Sequence, residues 1–439
     1  MIQQQIASTK ELIEFIGAAP TAFHAVQGIA ARLQNAGFIA LSEAQRPELV
    51  PGGSYYLTRN GSSVIAFRLP ETAPRGLLIA ASHSDSPTFK LKYNAEVVGA
   101  GGTLKLNTER YGGTILSSWL DRPLSIAGRA VVRTWNGITA KTVTLDRDLA
   151  IIPNVAIHQN RAINDGFKYN PACDIFPLIG EAESSGKLNE LIAAEAGCEV
   201  KDLLGSDLYL YNRTPGTLFG LNDEFFASPR IDNLQCAFAS LQAFLAVKPT
   251  EHIQMLAVFD NEETGSTSRQ GAASTFLTDT VDMIGEALGM NAAAIHRWLP
   301  SSMMVSADNG HAVHPCHPEL SDPQNAPRMN RGVVIKYNAN QKYTTDALSA
   351  AMFRQICDSA GVPTQVFANR SDMMGGSTLG NISNTKLALN TVDIGLAQLA
   401  MHSCYETGGT SDTLYMIRAL EAFYSISIEA LSDGSYKIS

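Results

Sequence analysis

The sequence predicts an α/β fold in which one discontinuous domain, residues 1–91 and 226–439, is interrupted by a β-rich insertion over residues 92–225. Two observations predict it. Toward both ends of the chain, short apolar runs of strand character alternate with helical periodicity, the mark of helices layered on a central sheet. From about Lys92 to about Phe225 the texture changes to short strand-like runs rich in glycine. The length agrees: 439 residues suit two domains of roughly 100–200 residues each. An apolar fraction of 45% supplies a large core.

The elements follow in order. Ser8 and Glu11 have capping-box spacing, and Leu12, Phe15 and Ile16 follow at helical spacing, so a helix is expected to begin there. A second helix covers Phe23 to Leu33 and stops near Gly37. Strands are predicted at Ser63–Arg68 and Leu77–Ser82. In the insertion, Arg129–Trp135 and Ile138–Leu145 alternate around Asn136-Gly137, which supplies the positive φ angles of a tight hairpin. One helix interrupts the insertion near Leu188–Ala196. Beyond Ser228, helical periodicity marks Ala237–Val247, Ser268–Phe276, Asp346–Cys357 and Asp412–Tyr424. The strands expected between them are Ile253–Phe259, Met303–Ser306, Gly332–Tyr337 and Lys386–Leu389.

Composition excludes several classes of function. A formal charge of −9 argues against nucleic acid, which demands a basic face, and against anionic membranes. No apolar run approaches the roughly 20 residues that span a bilayer. The first residues lack the basic-then-apolar pattern of a signal peptide. The six cysteines are scattered, as expected of free thiols in a reducing cytoplasm.

Five places join metal-capable side chains to a strand end or sharp turn. His83 and Asp85, two apart after an apolar strand, share a face, so Asp85 can accept from the imidazole and fix its tautomer. Asp232 precedes a helix, where it could cap the helix or bridge two cations. Glu262 and Glu263 end the apolar run Ile253–Phe259; one can hold a metal while the other carries a proton, and the Gly265-Ser266 turn would then start a helix. Asp308 ends another apolar strand. His311, His314 and His317 follow, but Pro315 and Pro318 forbid the helix that would align them, so they read as loop. His402 ends a short apolar stretch near the C-terminus. Each place alone has a structural explanation as a cap, a solvated loop or a core histidine. Together they supply two histidines, three carboxylate ligands and a spare glutamate, gathered at the strand ends where open α/β sheets bind ligands. Such donors suit zinc, with manganese or cobalt as alternatives. Five ligands exceed the needs of one catalytic zinc and suit two ions sharing a carboxylate.

At these residues the sequence resembles the aspartyl aminopeptidase family of dinuclear zinc metallopeptidases. The likeness runs nearly the whole chain: Ser82-His83-Ser84-Asp85-Ser86-Pro87, Tyr111-Gly112-Gly113, Trp119 to Leu124, Ile152 to His158, Pro229 to Leu234, Asp260 to Ser266, Ser306-Ala307-Asp308, Gly376 to Gly380 and Met401-His402-Ser403. The segment Arg370–Gly375 and Asn381, where a proline is common, depart from the family's pattern.

The resemblance implies an α/β/α sandwich and an inserted domain that mediates dimer contacts. It implies that Asp232 bridges two zinc ions, with His83 and Asp308 completing one site and Glu263 and His402 the other. Glu262 is then the general base, and Asp85 supports His83. It further implies peptide substrates, a tetrahedral dodecamer built from dimers, His158 reaching a neighbouring subunit's site, and Lys336 contacting substrate. Lys336 would supply the cation that an acidic first residue needs. Two other functions fit the same features: an aminopeptidase or related amidohydrolase for neutral residues, and a non-catalytic assembly or cargo protein.

Overall fold

The computed structural model describes residues 2–439. Its largest sheet has nine strands, in the order Ile39–Ala40, Ser54–Arg59, Ser63–Arg68, Ile253–Phe259, Leu77–His83, Met303–Ala307, Asn390–Gly395, Val333–Tyr337 and Thr364–Ala368. The four strands beginning at Ile253, Leu77, Met303 and Asn390 run parallel to one another. Ile253–Phe259, Leu77–His83 and Met303–Ala307 are buried at every position. Strands covered on both faces read as unbroken apolar runs, which is how these read in the sequence.

Alternate residues of those strands feed two different cores. Leu78, Ala80, Leu256, Val258 and Val305 pack beneath the helices Ile2–Gly17, Ala22–Asn35, Ile231–Ala246, Ala347–Ser359 and Asp412–Ser425. Leu77, Ile79, Ala81, Met255, Ala257 and Met304 face the opposite way, onto the helix Phe276–Ala287 and Trp298. Period-two side chains between two helical layers make an α/β/α sandwich.

A second, wholly antiparallel sheet has the order Gly137–Thr144, Leu124–Thr134, Leu203–Asn212, Thr88–Val98, Thr103–Tyr111 and Leu178–Glu181. It has its own core, including Phe89, Leu106, Trp119, Ile126 and Leu210. A third sheet of five short strands runs Thr217–Phe219, Phe225–Ser228, Glu406–Gly409, Ala397–Leu399 and Gly310–His311.

Several local expectations need correction. The first helix begins at Ile2, so Ser8 lies inside it and no capping box forms there. Thr134 pairs with Gly137, placing the two-residue turn at Trp135-Asn136, one position early. Ser268–Phe276 is irregular, and the helix runs Phe276–Ala287 instead; the Gly265-Ser266 turn therefore leads into a loop. Lys386–Leu389 precedes the strand Asn390–Gly395 rather than forming one. The three-histidine loop has no helix, as the prolines require; only Gly310–His311 adds a short strand. All six cysteines are free thiols. Among the described residues no helix is long and apolar enough to cross a membrane.

Candidate metal centre

Two sheets deliver the site. The nine-stranded sheet ends its parallel strands at His83, at Phe259 just before Glu262 and Glu263, and at Ala307 just before Asp308. The five-stranded sheet sends Phe225–Ser228 into the Asp232 turn and holds the His402 turn between Ala397–Leu399 and Glu406–Gly409. Five predicted ligands from across the chain thereby converge.

Asp232 lies at their centre. Its Oδ1 is 3.5 Å from His83 Nε2, and its Oδ2 is 3.5 Å from His402 Nε2. Asp308 Oδ1 stands 3.4 Å from His83 Nε2, and Glu263 Oε2 stands 3.3 Å from His402 Nε2. The ligand atoms of a tetrahedral zinc, each at about 2.0–2.1 Å from the ion, lie about 3.3–3.4 Å apart. The observed spacings match such edges: Asp232 and Asp308 lie at His83, Asp232 and Glu263 lie at His402, and ligand atoms of His83, Asp232 and Glu263 all lie within 4.8 Å of one another. Asp232 Oδ1 and Glu263 Oε1 are buried with no hydrogen-bond partner, leaving lone pairs for a cation. Imidazole and carboxylate donors without thiolate fit zinc.

Electrostatics point the same way. Asp85, Asp232, Asp260, Asp308 and Glu406 are buried, and the Glu263 side chain is 5% exposed. Burial, reinforced by neighbouring carboxylates, pushes Glu262 up to about 8 and Glu263 well above the usual carboxylate range. Asp260 is pushed up to about 7 and Glu406 to about 8 by the same two causes. Burial alone would lower the His83 imidazole, but Asp232, Asp308 and Asp85 outweigh it and raise it. For Asp232 burial is outweighed by His402 and His83, which hold it below its ordinary value. A cluster this acidic and this dry must be neutralised by protons or by cations.

The supporting residues are ordered by hydrogen bonds. His83 Nδ1 bonds the backbone carbonyl of Asp85 at 3.1 Å, with the Asp85 carboxylate at 3.3 Å. That carboxylate also accepts from the backbone N–H groups of Glu262 (3.1 Å) and Glu263 (3.2 Å) and from the Tyr111 hydroxyl (2.6 Å). Asp85 thus holds one ligand and fixes the glutamate pair together. His402 Nδ1 donates to the Gly113 carbonyl (3.2 Å). A Cβ on Gly112 would lie 3.1 Å from Glu263 Cβ, and one on Gly113 would lie 3.2 Å from His402 Nδ1, so a side chain at either position would crowd a predicted ligand; Gly112 also has a φ of +71°. Tyr111 ends the strand Thr103–Tyr111 of the antiparallel sheet and Gly112-Gly113 follow it, so that sheet helps to build the centre.

Lys336 is buried at the end of the strand Val333–Tyr337. Its ammonium donates to the Asn309 carbonyl (2.8 Å), lies 3.5 Å from Asp308 and sits over the Tyr343 ring. It lines a cavity of about 310 Å³ that also holds Asp232, Glu262, Glu263 and His402. His158 is not in this site; it is exposed on the insertion. Sequence reasoning missed Glu406 and gave Tyr111-Gly112-Gly113 no role. A lone glutamate in Tyr405-Glu406-Thr407-Gly408-Gly409 has no motif to expose it; only its burial does.

Comparison with known proteins bears on this geometry. The family described as Aminopeptidase I zinc metalloprotease (M18) matches residues 15–424. A probable M18 family aminopeptidase 2 of Clostridium acetobutylicum is 43% identical over 433 residues, covering 97% of this chain and all of the relative. Its namesake in Pseudomonas aeruginosa is 39% identical, covering 95% and 97%. Among solved structures, a chain of the cryo-EM complex of Ape4 and Nbr1 superposes with a TM-score of 0.93 at 34% identity, over 97% of this chain and 86% of that one. The mApe1 dodecamer of S. cerevisiae gives 0.84 at 27%, over 96% and 97%. The chain belongs to the M18 family of aminopeptidase I zinc metalloproteases and is a metallo-aminopeptidase.

Proposed function

We propose that this aminopeptidase works with two zinc ions that share Asp232, and that it prefers peptides with an acidic first residue. The observation that carries the first part is the division of Asp232, one oxygen toward His83 and the other toward His402. His83 and Asp308 hold one ion, and Glu263 and His402 hold the other. Bound there, the pair supplies Lewis acidity, making water available as a nucleophile near neutral pH and polarising the scissile carbonyl.

The chain's own residues do the rest. Glu262 belongs to neither ligand set and faces the same cavity. It takes a proton from the attacking water and returns it to the leaving amine. Asp85 keeps Glu262 in reach through its backbone N–H and aims His83. For the acidic preference, Lys336 provides a buried cation on the cavity wall beside Tyr343. A carboxylate arriving beside it gains a charge-assisted hydrogen bond, which a neutral side chain forgoes.

The insertion, residues 92–225, is proposed as the dimerisation and lid unit of a cytoplasmic homo-oligomer, a tetrahedral dodecamer in which His158 reaches a neighbour's cavity. The dodecameric yeast relative supports this reading. The test is a panel of N-terminal Asp, Glu and Leu amides, turned over by stripped protein reloaded with zinc, manganese or cobalt. Acidic substrates should lead Leu by tenfold or more in kcat/KM, and Lys336→Met should erase the lead. A Leu preference in the native enzyme would establish the neutral aminopeptidase instead.

A further inference from the structure

Glu406 lies beneath the candidate metal centre and is not one of its predicted ligands. It is buried at the first position of its strand, paired with Ser228 across the five-stranded sheet. Ser228 ends the strand that leads into the Asp232 turn, and the His402 turn leads into Glu406 itself. The two ligand-bearing turns therefore leave the same edge of the sheet side by side.

The Glu406 carboxylate spans the gap between them. Oε2 accepts from the backbone N–H of Asp232 at 3.0 Å, and Oε1 accepts from the backbone N–H of His402 at 2.8 Å. Oε1 also accepts from the Gln398 amide at 3.3 Å. The Gln398 carbonyl oxygen accepts from Asn309 at 2.6 Å, and the Asn309 backbone carbonyl holds Lys336. One buried chain of hydrogen bonds thus runs from the shared ligand and His402 to the residue after Asp308. Burying a carboxylate is costly unless its oxygens are satisfied, and these are satisfied by the backbone of the two residues whose spacing matters most.

We propose that Glu406 is a positioning residue for the metal centre: it fixes the distance between Asp232 and His402, and with it the site that His402 and Glu263 complete. This inference rests on the two-ion reading above. Outer hydrogen-bond partners of metal ligands typically carry about 10- to 100-fold in metal affinity. Glutamine in place of Glu406 is nearly isosteric, but it offers one oxygen where two backbone N–H groups need one each. Its NH₂ must oppose one of them.

The experiment is zinc stoichiometry and affinity of the intact protein by chelator competition, for wild type, Glu406→Gln and Gln398→Leu. Wild type should hold two zinc ions per subunit. Glu406→Gln should keep one with wild-type affinity and bind the other about 10- to 100-fold more weakly. Its zinc-stripped form should melt within about 2 °C of stripped wild type, which a merely structural role would not allow. Gln398→Leu loosens Glu406 without altering it and should weaken the same ion about threefold, so it decides the matter if Glu406→Gln does not fold. Two ions at unchanged affinity in a folded variant would overturn the inference. A single ion in wild type would instead overturn the two-ion reading.

Discussion

Glu262 and Glu263 are chemically identical neighbours to which the proposed function assigns different work on geometry alone. Glu263 sits 3.3 Å from His402, while Glu262 makes no ion pair with either histidine within 4.0 Å and lines the cavity. Glu262→Gln should therefore keep both zinc ions and lose about 10²–10⁴ in kcat, the usual weight of a general base; elemental analysis and steady-state kinetics on one preparation check it. On the two-ion reading, His402→Ala removes a ligand of one site only. It should lower zinc toward one ion per subunit, and an unchanged ratio would take His402 out of the ligand set. At this scale the convergence was legible: residue type, mostly at strand ends, marks out His83, Asp232, Glu263, Asp308 and His402, and the structure brings these five together. Glu406 was not, because what distinguishes it is burial and two backbone donors from distant turns, neither of which one position reveals.

At the scale of elements, the helix Ala22–Asn35 ties the sandwich to the antiparallel sheet. His24 on that helix bonds Thr21 through Nδ1 and Thr144 of the insertion through Nε2, each at 2.8 Å. Burial first, and then Arg230, lower the imidazole to about 4. A histidine held below its ordinary value stabilises the fold fully above about pH 6.5 and loses that contribution as pH falls toward 4. Between pH 7.5 and 4.5 the loss is on the order of 2–3 kcal/mol. Zinc-stripped wild type should then lose stability on acidification more steeply than stripped His24→Gln, measured by urea unfolding. Parallel slopes would deny His24 this role. Elements were legible where one pattern dominated. Ile253–Phe259 is buried throughout and reads as one apolar run. Ser268–Phe276 carried helical periodicity but is irregular, and Asn390–Gly395 contains Asp393, buried and bonded to Thr344 and Thr378, which broke its apolar run. In both cases tertiary contacts, absent from local pattern, decided the outcome.

For the whole molecule, the placement of the centre at a junction of three sheets couples metal to stability. Asp85, Asp232, Asp308 and Glu406 repel one another in a dry site until cations enter. Zinc that binds the folded chain in preference to the unfolded one contributes up to about 4 kcal/mol when it exceeds its Kd a thousandfold. Chelation should lower the melting temperature by several degrees, and added zinc should restore it; a melting temperature indifferent to chelator would mean that the carboxylates are neutralised by protons instead. The same junction brings the insertion to the centre: Tyr111, at the end of an antiparallel strand, donates to Asp85, and the carbonyl of Gly113 just beyond it accepts from His402. Anomalous diffraction at the zinc edge, on crystals of zinc-loaded protein, reads the arrangement directly. Two peaks about 3.5–4 Å apart should flank Asp232, one beside His83 and Asp308, the other beside His402 and Glu263. A single peak, or a pair that Asp232 does not separate, would contradict it.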